Sequence, residues 1–322
     1  MSRKKQYLLV ALLSIFLHVM AGWIEGAECQ QKYPIKPIDI IVPFAPGGST
    51  DLSARITANY VSKKWGVPVN LINQPGGRGI PATQDVYRAD KDGYTLLADN
   101  CTTCSMLAAG VKDLPFRIMD RTFLGIMSST SLTITVPSTS PFKTIKDLIA
   151  EAKKRPEKMS YSSLGGASVN DFGLRMLFKD TGVDISKMTV VMAQGGVALV
   201  TLAAGGSVSV SAGTTTASVP SIKSGFVRPL LVTSKERDPE LPNVPSSGEL
   251  GYTVVMSWNG VSGPANLPPH VVAFWEKALK DAVNDPGVLA QIKKIGAVPY
   301  YHSSEATREY VRKEVEQANK LF

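Results

Sequence analysis

The chain is poor in the side chains that carry most enzyme chemistry. Of 322 residues, only three are cysteine and three histidine. His18 falls in the apolar N-terminal stretch, which leaves His270 beside Pro269 and His302 beside Ser303, neither with a second ligand at metal spacing. A zinc centre needs three or four such ligands, and a serine nucleophile needs a partnered base. No metal and no cofactor are therefore expected, and no catalytic residue is assigned. The chain also lacks a Gly-x-Ser-x-Gly elbow and a GxxxxGK[ST] phosphate loop, which removes the usual hydrolase and nucleotidase signatures. It has no charge run. Its 35 Lys and Arg are scattered among 27 Asp and Glu, so a formal charge of +8 is spread without a basic stripe. No nucleic-acid partner is expected. A mild positive field speeds capture of anions without choosing among them.

What is present begins with a processing signal. Arg3, Lys4 and Lys5 precede an apolar run at 7–20, broken by Ser14 and His18, and Gly26 and Ala27 follow. This reads as a leader over 1–27 and an exported, periplasmic protein. The run is shorter than the roughly 20 residues of a membrane span, a retained anchor being the alternative. Cys29 follows Glu28, where a lipobox wants Gly or Ala.

The remainder alternates short β-branched runs with helical patterns, as in an α/β protein. The segment 38–44 (IDIIVPF) stops at Pro46, Gly47 and Gly48. A helix follows from about Thr50, with Leu52, Ile56 and Tyr60 at four-residue steps. Strands at 69–72 and 94–99 bracket a helix at 82–89. The pattern repeats with strands at 158–163, 189–192, 207–211 and 229–233, helices at 171–179 and 197–204, and a loop AGTTTAS at 212–218. A parallel arrangement is expected. Two late helices, from Pro268 and from Thr307, have one short strand between them and must pack on an earlier sheet. That predicts a discontinuous first lobe, 34–130 plus 256–322, and a second lobe, 131–255, joined by two hinge strands with a cleft between them.

Each lobe has a strand that ends in small residues and restarts as a helix, a geometry that aims free backbone N–H groups at the cleft. The first such loop is 43–51 (PFAPGGSTD). Phe44 begins it, Gly47 and Gly48 allow close approach, and Ser49 and Thr50 add hydroxyls. Asp51 reads as a first-turn acid or an orienter of the loop. The second is 161–170 (YSSLGGASVN), with Ser162, Ser163, Ser168 and Asn170 as donors. Either loop alone could be an ordinary strand-to-helix turn; two alike on two lobes favour binding. Gly77-x-Gly79-x-x-Ala82 with Asp99 fits a dinucleotide fingerprint loosely, but Gln74 and Pro75 separate the glycines from the strand and Pro81 occupies the helix start, so a plain turn is the other reading. Cys101-x-x-Cys104 allows a redox pair, a local disulfide, or two small residues in a loop. Trp258 and Tyr252 flank the return crossing and either line the cleft or fill the core.

The run YPIKPIDIIVPFAPGGSTDLSAR, with NQPGGRG, DGYTLL, YSSLGGAS, GGVALVTLAAG, IKSGFVRPLLVTS and ELPNVPSSGELGY after it, resembles the substrate-binding proteins of tripartite tricarboxylate transporters, the Bordetella uptake gene family. The likeness covers the chain after the leader. It implies a periplasmic fold of two lobes that close like a flytrap on a carboxylate. It also implies carboxylate-gripping residues at Gly47, Gly48, Ser49 and Asp51 and at Ser162, Ser163 and Gly166, with further lining near Asn100, Gly195 and Gly196. The chain departs from the family pattern at 212–215, which includes Thr214, at Asn170 and Asp171, and at the CTTC after Asn100; these positions fall near the distal part of a ligand. The expected role is a monomeric, non-catalytic binder that hands a small organic acid or amino acid to membrane permease subunits. The alternatives are a sensor component signalling to a membrane kinase, or an exported enzyme acting on an organic acid.

Overall fold

The computed structural model describes residues 32–319, so the expected leader at 1–27 lies outside the described residues. The first strand, β1 (Ile38–Val42), alternates fully buried Ile38, Ile40 and Val42 with half-buried neighbours. It lies between two parallel partners, β2 (Val69–Asn73) and β3 (Thr95–Asn100). Helix α1 (Ser49–Trp65) starts directly after Gly48 and ends at Gly66, whose φ of 68° is the left-handed stop that glycine takes without strain. Helix α2 (Ile80–Tyr87) leads to β3.

The next strand ties the molecule together. β4 (Thr122–Pro137) is buried along all but its ends. Residues 122–131 pair antiparallel with β9 (Met256–Gly263), and β10 (Val298–His302) lies on the other edge. Residues 132–137 pair instead with β7 (Ser211–Thr214) and β8 (Val227–Val232). The main path runs β10-β4-β9-β3-β1-β2, with β7 and β8 joined to the far end of β4. Beyond β4 come α3 (Ile145–Lys154), β5 (Ser160–Ser163), α4 (Val169–Thr181), β6 (Thr189–Met192) and α5 (Gly196–Ala204). β5 and β6 form a small parallel pair, and Tyr161 bridges on to Val210. Helix α6 (Thr215–Lys223) lies between β7 and β8; α7 (Pro269–Ala282), α8 (Pro286–Lys294) and α9 (Ser304–Ala318) end the chain.

Thr233 clasps the two strands where they cross between the halves. Its hydroxyl donates to the Val255 carbonyl at 2.6 Å and accepts from the Leu132 amide at 2.8 Å. Two large apolar clusters pack here, and the second, which also includes Leu132, Val169 and Val255, reaches both sides of the crossing. Ile134, Leu148, Phe178 and Leu231 belong to the first, and Leu107, Phe123, Ile126 and Val311 to the second. Each such buried side chain contributes about 1.5–3 kcal/mol.

Three expectations are corrected here. The main sheet is mixed rather than parallel, because β4 and β9 run against their neighbours. The segment 212–218 is the end of β7 and the first turns of α6, with the Thr214 hydroxyl accepting from the Ala217 amide as a cap. Residues 101–104 are not a loop: Cys101 has helical dihedrals and opens a π-helical turn, Thr102–Met106. Helix α8 is an addition, started by Asp285 as cap and Pro286 in its first turn.

Candidate functional site

Four helices begin around one cavity. Gly48, Ser49 and Thr50 reach it from the start of α1, Val169 and Asn170 from α4, Gly196 from α5, and Thr214 from the cap of α6. Asn100, Thr102 and Ser257 add polar atoms, while Phe44 and Leu164 join Val169 as its apolar members. Its volume is about 30 Å³, room for a group of roughly carboxylate size. Among the described residues no charged side chain lines it.

The helix starts supply the electrostatics instead. α4 and α6 carry side-chain caps, Ser168 accepting from the Asp171 amide at 3.1 Å and Thr214 from that of Ala217 at 3.3 Å. α1 follows Gly48 and α5 follows Gly195, with no side-chain cap at either. Their first-turn N–H groups have no acceptor within the helix, and each end carries a partial positive charge worth about 0.3–1 kcal/mol to an anion, more when water is excluded. A carboxylate fits this chemistry without an arginine.

Buried side chains hold the first loop in shape. Asp51 accepts from the Gly47 amide at 2.9 Å, from Arg55 at 2.9 and 3.0 Å, and from Asn73 at 2.9 Å. Burial works against its ionised form, but the hydrogen bonds from Arg55, Gly47 and Asn73 outweigh it and hold the carboxyl below its ordinary range. Gly47, at φ +88°, is the turn that lets this happen. Asp51 thus orients the loop and does not line the cavity.

The second loop is organised by a matching acid. Ser163 and Ser168 both donate to Asp171, and the Ser163 hydroxyl accepts from the amides of Gly165 and Gly166 at 2.9 and 3.2 Å. Ser162 is buried and its hydroxyl has no partner. The Asn170 side-chain amide donates to the Ala212 carbonyl at 2.6 Å, which fixes the side chain at the cavity wall.

Asn100 is set from behind. Its Nδ2 donates to Thr50 Oγ1 at 2.6 Å, leaving the Thr50 hydrogen to point elsewhere, and its Oδ1 accepts from the Thr103 amide at 3.0 Å. Asp99 accepts from the Asn100 amide and pairs with fully buried Arg121 at 3.1 Å. A ribose-binding role for Asp99 is thereby overturned. The glycines of the loosely matching fingerprint form a short 3-10 turn, in which a Cβ on Gly79 would stand 2.8 Å from Thr103 and 2.9 Å from Pro43. Cys101 and Cys104 are free, buried thiols. Burial pushes Cys101 up to about 12 and Cys104 well above its ordinary value, so both stay protonated and unreactive at neutral pH.

Of the residues singled out from sequence, Phe44, Gly48, Ser49, Thr50, Asn100, Asn170, Gly196 and Thr214 line the cavity. Gly47, Asp51, Ser162, Ser163, Gly166, Ser168 and Gly195 belong to the loops behind it. Trp258 is core: it is 1% exposed and its Nε1 donates to Glu314 at 2.8 Å. Sequence reading missed Thr102, Leu164, Val169 and Ser257 as lining residues. Thr102 sits in the CTTC stretch flagged as a departure, the only signal that could have found it.

The profile of the family described as "Tripartite tricarboxylate transporter family receptor" matches residues 53–322. Protein BugT of Bordetella pertussis is 29% identical over 316 residues, covering 96% of this chain and 94% of its own. Among solved structures, the periplasmic binding protein BugD is similar at 29% identity and a TM-score of 0.82, over 90% of this chain and 97% of its own. R. palustris Rpa4515, solved with adipate, is similar at 25% identity and a TM-score of 0.84, with the same coverages. The fold is that of two-lobed periplasmic binding proteins, and the chain belongs to the tripartite tricarboxylate transporter receptor family of solute-binding proteins.

Proposed function

We propose that this protein captures a small carboxylate in the cavity at the N-termini of α1 and α5 and delivers it to the permease subunits of a tripartite transporter. The observation that carries the reading is the convergence of two uncapped helix starts on a cavity with no charged side chain. Residues 34–130 with 256–322 act as one lobe and 131–255 as the other, turning about the crossing held by Thr233. Ligand contacts to both lobes favour the closed arrangement, since a ligand shifts such an equilibrium by its differential affinity. The adipate held by Rpa4515 supports a carboxylate as the ligand class. Among the lining residues there is no histidine, cysteine or acid to serve as base or nucleophile, which supports release of the ligand unchanged.

The test is calorimetric titration of residues 28–322, stripped of carried-over ligand, with mono-, di- and tricarboxylates and amino acids, alongside small-angle scattering. Micromolar or tighter binding of one acid with a fall in radius of gyration is expected. Folded protein that binds none of them would overturn the proposal.

A further inference from the structure

A second cavity, about 400 Å³, adjoins the first and shares Phe44 and Leu164 with it. Its other walls are the glycine turn 76–79, Gly165 and the segment 192–194. Arg78 is the one charged residue among its lining. Its guanidinium crosses from the glycine turn to the second loop, where Nη1 donates to the Gly165 carbonyl at 3.2 Å. Among the described residues no carboxylate pairs with it. An arginine has five N–H donors in a rigid fork, so this bond leaves the remaining edge available.

The backbone says that a side chain is kept here at a cost. Gly76, Gly77, Arg78 and Gly79 all have positive φ, and Arg78 stands at φ 60°, ψ 20°. It is one of two non-glycine residues in that region among those described, the other being Asn266. A glycine would hold the turn with less strain. Around Arg78 the cavity is mixed: Phe44, Leu164 and Ala193 give it apolar surface, Gln194 and the glycine backbone give it polar surface, and Met192 is left 62% exposed at its edge.

A cation at one end, the apolar side chains of Phe44 and Leu164 between, and an anion-holding helix pair at the other describe a ligand with two acidic ends. We infer that Arg78 is a specificity-determining residue, taking the distal carboxylate of a linear dicarboxylate whose first carboxylate sits at α1 and α5 and whose methylene chain lies past Phe44 and Leu164. The planar guanidinium matches a carboxylate with two parallel hydrogen bonds. This rests on the carboxylate reading of the first cavity.

The experiment compares succinate, glutarate and adipate with butyrate, pentanoate and hexanoate by calorimetry, on the wild type, Arg78→Gly and Arg78→Lys. The glycine variant suits the observed φ, and its melting temperature confirms folding. The wild type should prefer a dicarboxylate to its matching monocarboxylate by about tenfold or more. Arg78→Gly should weaken that dicarboxylate about 30-fold and the monocarboxylate less than about threefold, with Arg78→Lys between. Equal weakening of both acids would make Arg78 a clasp on Gly165 alone and overturn the inference, as would a wild type without preference for dicarboxylates. If neither kind of acid binds the wild type, the reading of the first cavity fails and this inference fails with it.

Discussion

Asn100 Nδ2 donates to Thr50 Oγ1 at 2.6 Å, joining the end of β3 to the first turn of α1. The bond aligns two polar residues that arrive from elements 50 positions apart, and the buried Asp99–Arg121 pair anchors it from behind. Asn100→Ala should therefore misplace Thr50 at the cavity. A loss of about tenfold to a hundredfold in affinity for the bound acid is expected from calorimetry, the size of a hydrogen bond to a charged group. Unchanged affinity would separate this pair from binding.

Gly48 offers a cleaner block. A Cβ placed on it meets nothing nearer than the Ala45 carbonyl oxygen at 4.0 Å, and its φ of −79° is open to any residue. Gly48→Val should fold with a melting temperature within a few degrees of the wild type, yet fill the cavity and abolish binding. A variant that binds normally would place the ligand elsewhere.

Gly260 makes the opposite case. A Cβ there would stand 2.2 Å from the Gly125 carbonyl oxygen, a backbone atom of the neighbouring strand β4. Gly260→Ala must push β9 away from β4 and should cost on the order of 3 kcal/mol. Denaturant unfolding should show a lower midpoint; an unchanged midpoint would mean that the sheet yields there freely.

Glu314 carries a pH dependence. Burial raises its carboxyl to about 7, against the lowering effect of hydrogen bonds from Trp258 and Ser105 at 2.8 and 2.7 Å. Tyr310 beside it is pushed up by burial and by the Glu314 charge, and Cys101 is held up to about 12, so neither titrates with it near neutrality. The folded state holds the proton more tightly than the unfolded one, whose carboxyl has the ordinary value of 4.5. Between about 4.5 and 7 the folded chain binds more protons, so stability falls as pH rises through that window and levels off above it. Glu314→Gln keeps an oxygen for both donors and removes the ionisation. It should gain on the wild type by about 3 kcal/mol between pH 4.5 and pH 8, read as the difference of their denaturant midpoints. A pH-independent difference would show that Glu314 ionises without penalty.

Much of this was legible before the fold was known, and the reasons are local. The apolar run 38–44 marks β1, and the glycines at 47 and 48 with Leu52, Ile56 and Tyr60 at four-residue steps mark the start and buried face of α1. What could not be read depends on partners distant in sequence. Strand direction leaves no mark on β4 or β9, so the sheet was expected to be parallel. Ser163 and Ser168 look like ligand donors until Asp171 is seen to take both hydroxyls. Trp258 stands at the crossing, but Glu314, 56 residues later, draws its indole into the core. Small β-branched residues hid α6, whose cap, Thr214, is recognisable only once β7 is seen to end there. Thr102 and Ser257 reach the cavity because β3 and β9 are neighbours in the sheet.

The central claim is that helix N-termini, without a cation, hold an anion in the first cavity. It is tested most directly by titrating the protein with its best-bound acid and with the matching neutral amide, in which the carboxylate has become a carboxamide of the same shape. The carboxylate should bind at least about a hundredfold more tightly, since the amide offers the uncapped N–H groups of α1 and α5 no charge. Equal binding of acid and amide would contradict it.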